Sequence, residues 1–122
     1  MILEAPKRLI FFEFSLALES KPGILVIRGG KVKGTILVID DCVDIREILE
    51  EILSKEGLDV ICADSGERAL AVIEKITPDL IFIDYQMEEM SGEEFIILLE
   101  KKHPSIVKDT PIIMLTAREK GF

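Results

Sequence analysis

The chain has 122 residues, enough for one domain and too few for two. Apolar residues make up 48%, so a core can be buried, and a net charge of −8 argues against non-specific nucleic-acid binding, which needs a basic face. Residues 1–34 carry six basic and three acidic residues, whereas residues 35–122 carry nine basic and twenty acidic, so a boundary is expected near Gly34.

Residues 1–34 read as an N-terminal extension. Phe12, Phe14, Leu16 and Leu18 alternate with Glu13, Ser15, Ala17 and Glu19, a period-2 strand pattern. Lys21-Pro22-Gly23 reads as a turn, Ile24 to Ile27 as a second strand and Gly29-Gly30 as a break. A β-hairpin is expected, with a helix over Leu9 to Glu19 as the alternative. Leu9 to Leu18 is preceded by Lys7-Arg8 like a signal peptide, but Glu13 interrupts it and no small-residue cleavage site follows. Ten residues are too few to span a bilayer, so a cytoplasmic protein is expected. Cys42 and Cys62 have neither zinc spacing nor a C-x-x-C pattern and read as reduced thiols.

From residue 35 strand and helix patterns alternate. Thr35 to Ile39 is an apolar run closed by Asp40 and Asp41. Ile45, Ile48, Leu49, Ile52 and Leu53 mark one face of a helix that Gly57 stops. Leu58 to Ala63 is a short strand. Ser65 is a candidate N-cap for a second helix, with Leu70, Val72, Ile73 and Ile76 inward. Leu80 to Ile83 is a second apolar run, closed by Asp84. Ser91 and Glu94 form a capping-box pattern ahead of Phe95, Ile96, Leu98 and Leu99. A polar loop through His103-Pro104 leads to the strand Ile112 to Leu115, and His103 reads as an exposed loop residue. Met87 and Met90 read as loop anchors on the core. This order predicts an α/β fold, a doubly wound parallel sheet with right-handed crossovers.

In such sheets the carboxyl ends of the strands line the functional crevice. Asp40, Asp41 and Asp84 are therefore expected to converge, and like charges that close need compensation. Mg²⁺ would supply it, since it favours oxygen ligands and binds through one or two carboxylates plus phosphate. The remaining carboxylate can then act as a nucleophile toward phosphorus. Thr116, ending the last strand, would offer a hydroxyl donor to the transferring group. The plain alternative makes Asp40 and Asp41 helix N-caps.

Thr35 to Asp41 (TILVIDD), Leu80 to Gly92 (LIFIDYQMEEMSG) and Pro111 to Ala117 (PIIMLTA) together resemble the receiver domain of two-component response regulators. The resemblance covers residues 35–122. It implies a flavodoxin-like fold and a phosphorelay receiver that takes a phosphoryl group from a sensor histidine kinase or phosphotransfer protein. By position it implies Asp84 as phosphoacceptor and Thr116 as switch hydroxyl. It also implies a Mg²⁺ site of Asp40, Asp41, Asp84 and the backbone carbonyl of Gln86. Such a domain catalyses its own modification but is not a metabolic enzyme.

Two departures stand out. Met87-Glu88 replaces the family's usual Met-Pro. The family's fourth helix, fifth strand with its Lys, and fifth helix have no counterpart before Phe122, so residues 35–122 read as a partial receiver. On this reading Ile112 to Leu115 becomes an open sheet edge, available for a homodimer or for cover by residues 9–27. A further reading places the natural start at Val32, leaving residues 1–31 outside the native chain.

The alternative function is a degenerate or truncated receiver that docks partners without phosphorylation. A haloacid-dehalogenase-like phosphatase would need D-x-D-x-T after its first strand, and Asp41-Cys42-Val43-Asp44 does not supply it. Neither direct nucleic-acid binding nor a membrane role is expected.

Overall fold

The computed structural model describes residues 2–4, 9–12, 25–27, 30–32 and 34–115, with side chains for 34–115. Four short strands come first: β1 (Ile2–Glu4), β2 (Leu9–Phe12), β3 (Leu25–Ile27) and β4 (Gly30–Val32). Then follow β5 (Thr35–Ile39), α1 (Val43–Lys55), β6 (Asp59–Ala63), α2 (Gly66–Ile73) and β7 (Leu80–Asp84). The described part closes with α3 (Gly92–Lys102), α4 (Pro104–Asp109) and β8 (Ile112–Leu115).

The main sheet has the order β1-β2-β8-β7-β5-β6. Strands β6, β5, β7 and β8 are parallel, the doubly wound arrangement expected from the sequence. β5, β7 and β8 are buried on both faces, which is why their sequences are almost wholly apolar, whereas the edge strand β6 is only partly buried. Alternate residues feed two cores. Ile36, Val38, Leu80, Phe82, Ile113 and Leu115 pack with Leu49 and Leu53 of α1. Leu37, Ile39, Ile81, Ile83, Ile112 and Met114 pack with Ala69 and Ile73 of α2, Phe95 and Leu99 of α3, and Ile106 of α4.

Local signals set the helix boundaries. The Ser65 hydroxyl accepts from the Arg68 N–H at 3.1 Å, capping α2. Ser91 and Glu94 complete both bonds of the capping box on α3, each at 3.0 Å. Gly57 follows α1 with φ of +87°, a left-handed value that favours glycine. The start of β5 is tied across the sheet, because Asp79 Oδ2 accepts from the Thr35 N–H at 2.8 Å and the Asp79 N–H donates to the Thr35 carbonyl at 2.8 Å.

Several sequence expectations change. The loop through His103-Pro104 contains the six-residue helix α4. Proline suits its first position, where no N–H is needed, and buried Ile106 pins it to the core. His103 is half-buried, with Nε2 3.0 Å from Glu74 Oε2, so it bridges the ends of α2 and α3. α2 ends at Ile73, which leaves Ile76 outside the helix. Met87 and Met90 pack against the core, as expected.

In the extension, Leu9–Phe12 is a strand, against the helical alternative at those positions. Two antiparallel pairs are described, β1–β2 with Glu4 opposite Ile10 and β3–β4 with Ile27 opposite Gly30, so Gly30 begins a strand. The alternating pattern over 13–19 and the turn at 21–23 lie outside the described residues. Of the fates expected for the edge at Ile112–Leu115, the structure shows cover by residues 9–12 of the same chain. β2 pairs with β8 in parallel, Leu9 opposite Ile112 and Phe12 opposite Leu115. Its ladder groups are thus occupied within the chain, and a homodimer through that edge would have to displace β2.

A chain starting at Val32 would leave the outer edge of β8 unpaired. It is expected to self-associate, read as a concentration-dependent mass in analytical ultracentrifugation. A monomer at every concentration would show that the edge needs no cover.

Candidate phosphoacceptor and metal site

β5 and β7 are adjacent, and Ile39 pairs with Ile83. The next residue on each strand is an aspartate, so Asp40 and Asp84 stand side by side where the two chains leave the sheet. Asp41 follows one residue later. Ligand oxygens of Asp40, Asp41 and Asp84 all lie within 4.8 Å of one another. Asp40 and Asp84 are each 2% exposed, whereas Asp41 is exposed. The connection from β6 to β7 passes over β5, so these carboxylates occupy the switch point of the sheet.

Main-chain donors surround the acids. The Cys42 N–H donates to Asp40 Oδ1 at 2.9 Å, and the Gln86 N–H donates to Asp84 Oδ1 at 3.2 Å. The Glu88 N–H reaches Asp41 Oδ2 at 2.9 Å across 47 residues of sequence. Asp40 is fixed further by its own N–H on the Ala63 carbonyl at 3.1 Å and by the Arg46 guanidinium on its carbonyl at 2.7 Å. Neither Asp40 nor Asp41 caps α1. The N-cap is Cys42, whose side chain makes no capping bond.

The loop after Asp84 is anchored at both ends. The Tyr85 N–H donates to the Leu115 carbonyl at 3.0 Å, and the Tyr85 carbonyl accepts from the Gly92 N–H at 2.9 Å. A side chain at Gly92 would place its Cβ 2.6 Å from the Asp84 carbonyl, so the close approach of α3 to β7 requires glycine. Leu115 pairs with Asp84 at the end of β8. Thr116, the next residue, lies outside the described residues.

Beside the acids is a cleft of about 320 Å³ lined by Asp41, Glu67, Arg68, Met87, Glu88 and Met90 among others. It meets the cluster through Asp41. Arg68 on its wall pairs with Asp64 at 3.5 Å, an exposed contact of little energetic weight. The donor set is all carboxylate oxygen, which suits a hard divalent cation. Both cysteines are free thiols. Burial, and then the Glu50 carboxylate, push the Cys62 thiol above its ordinary value, against a smaller opposing effect of Arg46.

Sequence reasoning named the three acids and missed what holds them. Arg46 was unremarkable as a helix residue, and no pattern marks a side chain that reaches back six residues to a carbonyl. The Glu88 contribution comes from its backbone, which side-chain identity does not reveal.

Two outcomes are expected. Gly92→Ala should lower stability by about 1–3 kcal/mol in urea unfolding, because its Cβ has no room. A raised thiol value keeps Cys62 protonated at neutral pH, so it should alkylate more slowly than an ordinary thiol, with a rate that keeps climbing above pH 9; mass spectrometry of peptides labelled across a pH series checks this.

Comparison with known proteins fits this architecture. The family model described as "Response regulator receiver domain" matches residues 36–121. Protein PilG of Pseudomonas aeruginosa is 40% identical over 87 residues, which cover 71% of this chain and 63% of PilG. A probable transcriptional regulator, ycf27, of Porphyridium aerugineum is 45% identical over 85 residues, covering 70% of this chain and 33% of that protein. The chain thus spans 63% and 33% of the length of these curated relatives, under two thirds of each. Among solved structures, the chemotaxis protein CheY4 of Vibrio cholerae superposes with a TM-score of 0.62 at 34% identity, over 71% of this chain and 73% of that one. The N-terminal domain of a response regulator receiver protein from Methanoculleus marisnigri gives 0.63 at 36% identity, over 69% and 67%. The chain belongs to the response regulator receiver family, with the α/β fold and the cluster of strand-end aspartates described above.

Proposed function

We propose that this chain is a phosphorelay receiver in which Asp84 accepts a phosphoryl group from a sensor histidine kinase or phosphotransfer protein, with Mg²⁺ as cofactor. The observation that carries this is the convergence of three carboxylates within 4.8 Å at the switch point of the sheet. Asp40, Asp41 and Asp84 would hold the cation, together with the backbone carbonyl of Gln86. When bound, it neutralises the acids and draws charge from the phosphoryl oxygens.

The remaining chemistry belongs to the chain. An Asp84 carboxylate oxygen attacks phosphorus while the P–N bond of the donor phosphohistidine breaks, and the imidazole nitrogen keeps the electron pair. Near-complete burial restricts water at Asp84, which favours transfer over hydrolysis. The Thr116 hydroxyl is the proposed donor to the acquired phosphoryl group. The Tyr85–Leu115 bond supports this role, because it links the residue after Asp84 to the strand end that precedes Thr116.

On this reading the protein is a cytoplasmic signalling component and not a metabolic enzyme. No helix among the described residues is long and apolar enough to cross a membrane. Domain organisation follows the same proposal, with residues 1–34 an extension and 35–122 receiver sequence.

Incubation with acetyl phosphate and Mg²⁺ is expected to add about 80 Da to the intact mass, one phosphoryl group. Asp84→Asn should abolish the increment, and chelation of the metal should suppress it. No increment at any Mg²⁺ concentration would favour a docking module that works without phosphorylation.

A further inference from the structure

The three acids differ in how they are held. Asp40 and Asp84 are buried and accept N–H groups from two residues ahead, Cys42 and Gln86, within their own loops. Asp41 is exposed, so packing does not fix its carboxylate. Its donor, the Glu88 N–H, comes from the opposite loop, the one after Asp84. Of the three bonds, this alone joins the loop carrying Asp40 and Asp41 to the loop following Asp84.

We propose that the main-chain N–H of Glu88 is a positioning group for the metal site. It holds Asp41 against the repulsion of Asp40 and Asp84, so that the carboxylate is in place before a cation arrives. This rests on the reading of the acid cluster as a Mg²⁺ site. A carboxylate has two oxygens and about four lone-pair sites, so one N–H on Oδ2 leaves acceptor capacity for a cation. The bond orders in advance a side chain that would otherwise lose rotamer freedom on binding. Glu88 itself is exposed, and its carboxylate adds negative charge to the cleft that reaches Asp41. That long-range attraction is separable from the N–H, because glutamine removes the charge and keeps the donor, whereas proline removes both.

The test uses two readouts. In the metal-free protein, amide hydrogen exchange followed by NMR should show the Glu88 N–H protected, with protection lost in Asp41→Ala. Mg²⁺ affinity is read from the fluorescence of Tyr85, the chain's single tyrosine, in a chain with no tryptophan and with Asp84 as its neighbour. Glu88→Gln and Glu88→Ala should bind Mg²⁺ within about twofold of the parent, and Glu88→Pro about tenfold more weakly.

An unprotected Glu88 amide overturns the proposal. So does a Glu88→Pro variant that binds as tightly as Glu88→Gln, and in both cases the metal reading stands. A parent protein that binds no Mg²⁺ overturns the metal reading and this inference together. If Glu88→Pro does not fold, the exchange measurement decides alone.

Discussion

The register of two central strands controls the acidic end of this molecule. Ile39 lies opposite Ile83, so the aspartates that follow them must emerge together. Two unit charges about 4 Å apart, at the effective dielectric of a protein surface, repel by about 4 kcal/mol. A hydrogen bond to a charged group contributes about 1.5–3 kcal/mol. The N–H groups of Cys42, Gln86 and Glu88 therefore ease the repulsion among the three acids without abolishing it. The rest of the fold provides the stability that keeps the three acids together.

That stability comes from a two-sided core. Each central strand alternates its residues between the α1 face and the α2–α3–α4 face, and each buried Leu, Ile or Phe contributes about 1.5–3 kcal/mol by leaving water. A one-residue slip of β5 against β7 would misalign Asp40 and Asp84 and reverse which side chains meet each core. The same register that buries the apolar residues thus brings the acids together. The loop after Asp84 depends on the sheet in the same way, since Tyr85 is bonded to β8 on one side and to the start of α3 on the other.

Much of this could be read directly. Ile-rich runs ending in aspartate marked the parallel strands, Ser91 and Glu94 marked the start of α3, and the three motifs together pointed to the receiver family. Helix α4 was harder, because His103-Pro104 looks like an interruption when a helix beginning on proline is not considered. The extension was harder still. Four-residue strands carry almost no periodic signal, and nothing in Leu9–Phe12 names β8 as its neighbour.

By itself the sequence determined the alternation of strands and helices, the identity of the three acids and the caps, because each depends on residues a few positions apart. Tertiary structure decided how the loops that carry those acids are tied in place. Arg46 on the Asp40 carbonyl, Tyr85 on the Leu115 carbonyl and the Glu88 N–H on Asp41 are contacts between main chain and distant partners. Every residue but proline carries the same N–H and C=O, so these contacts exist only once packing has fixed where each loop lies.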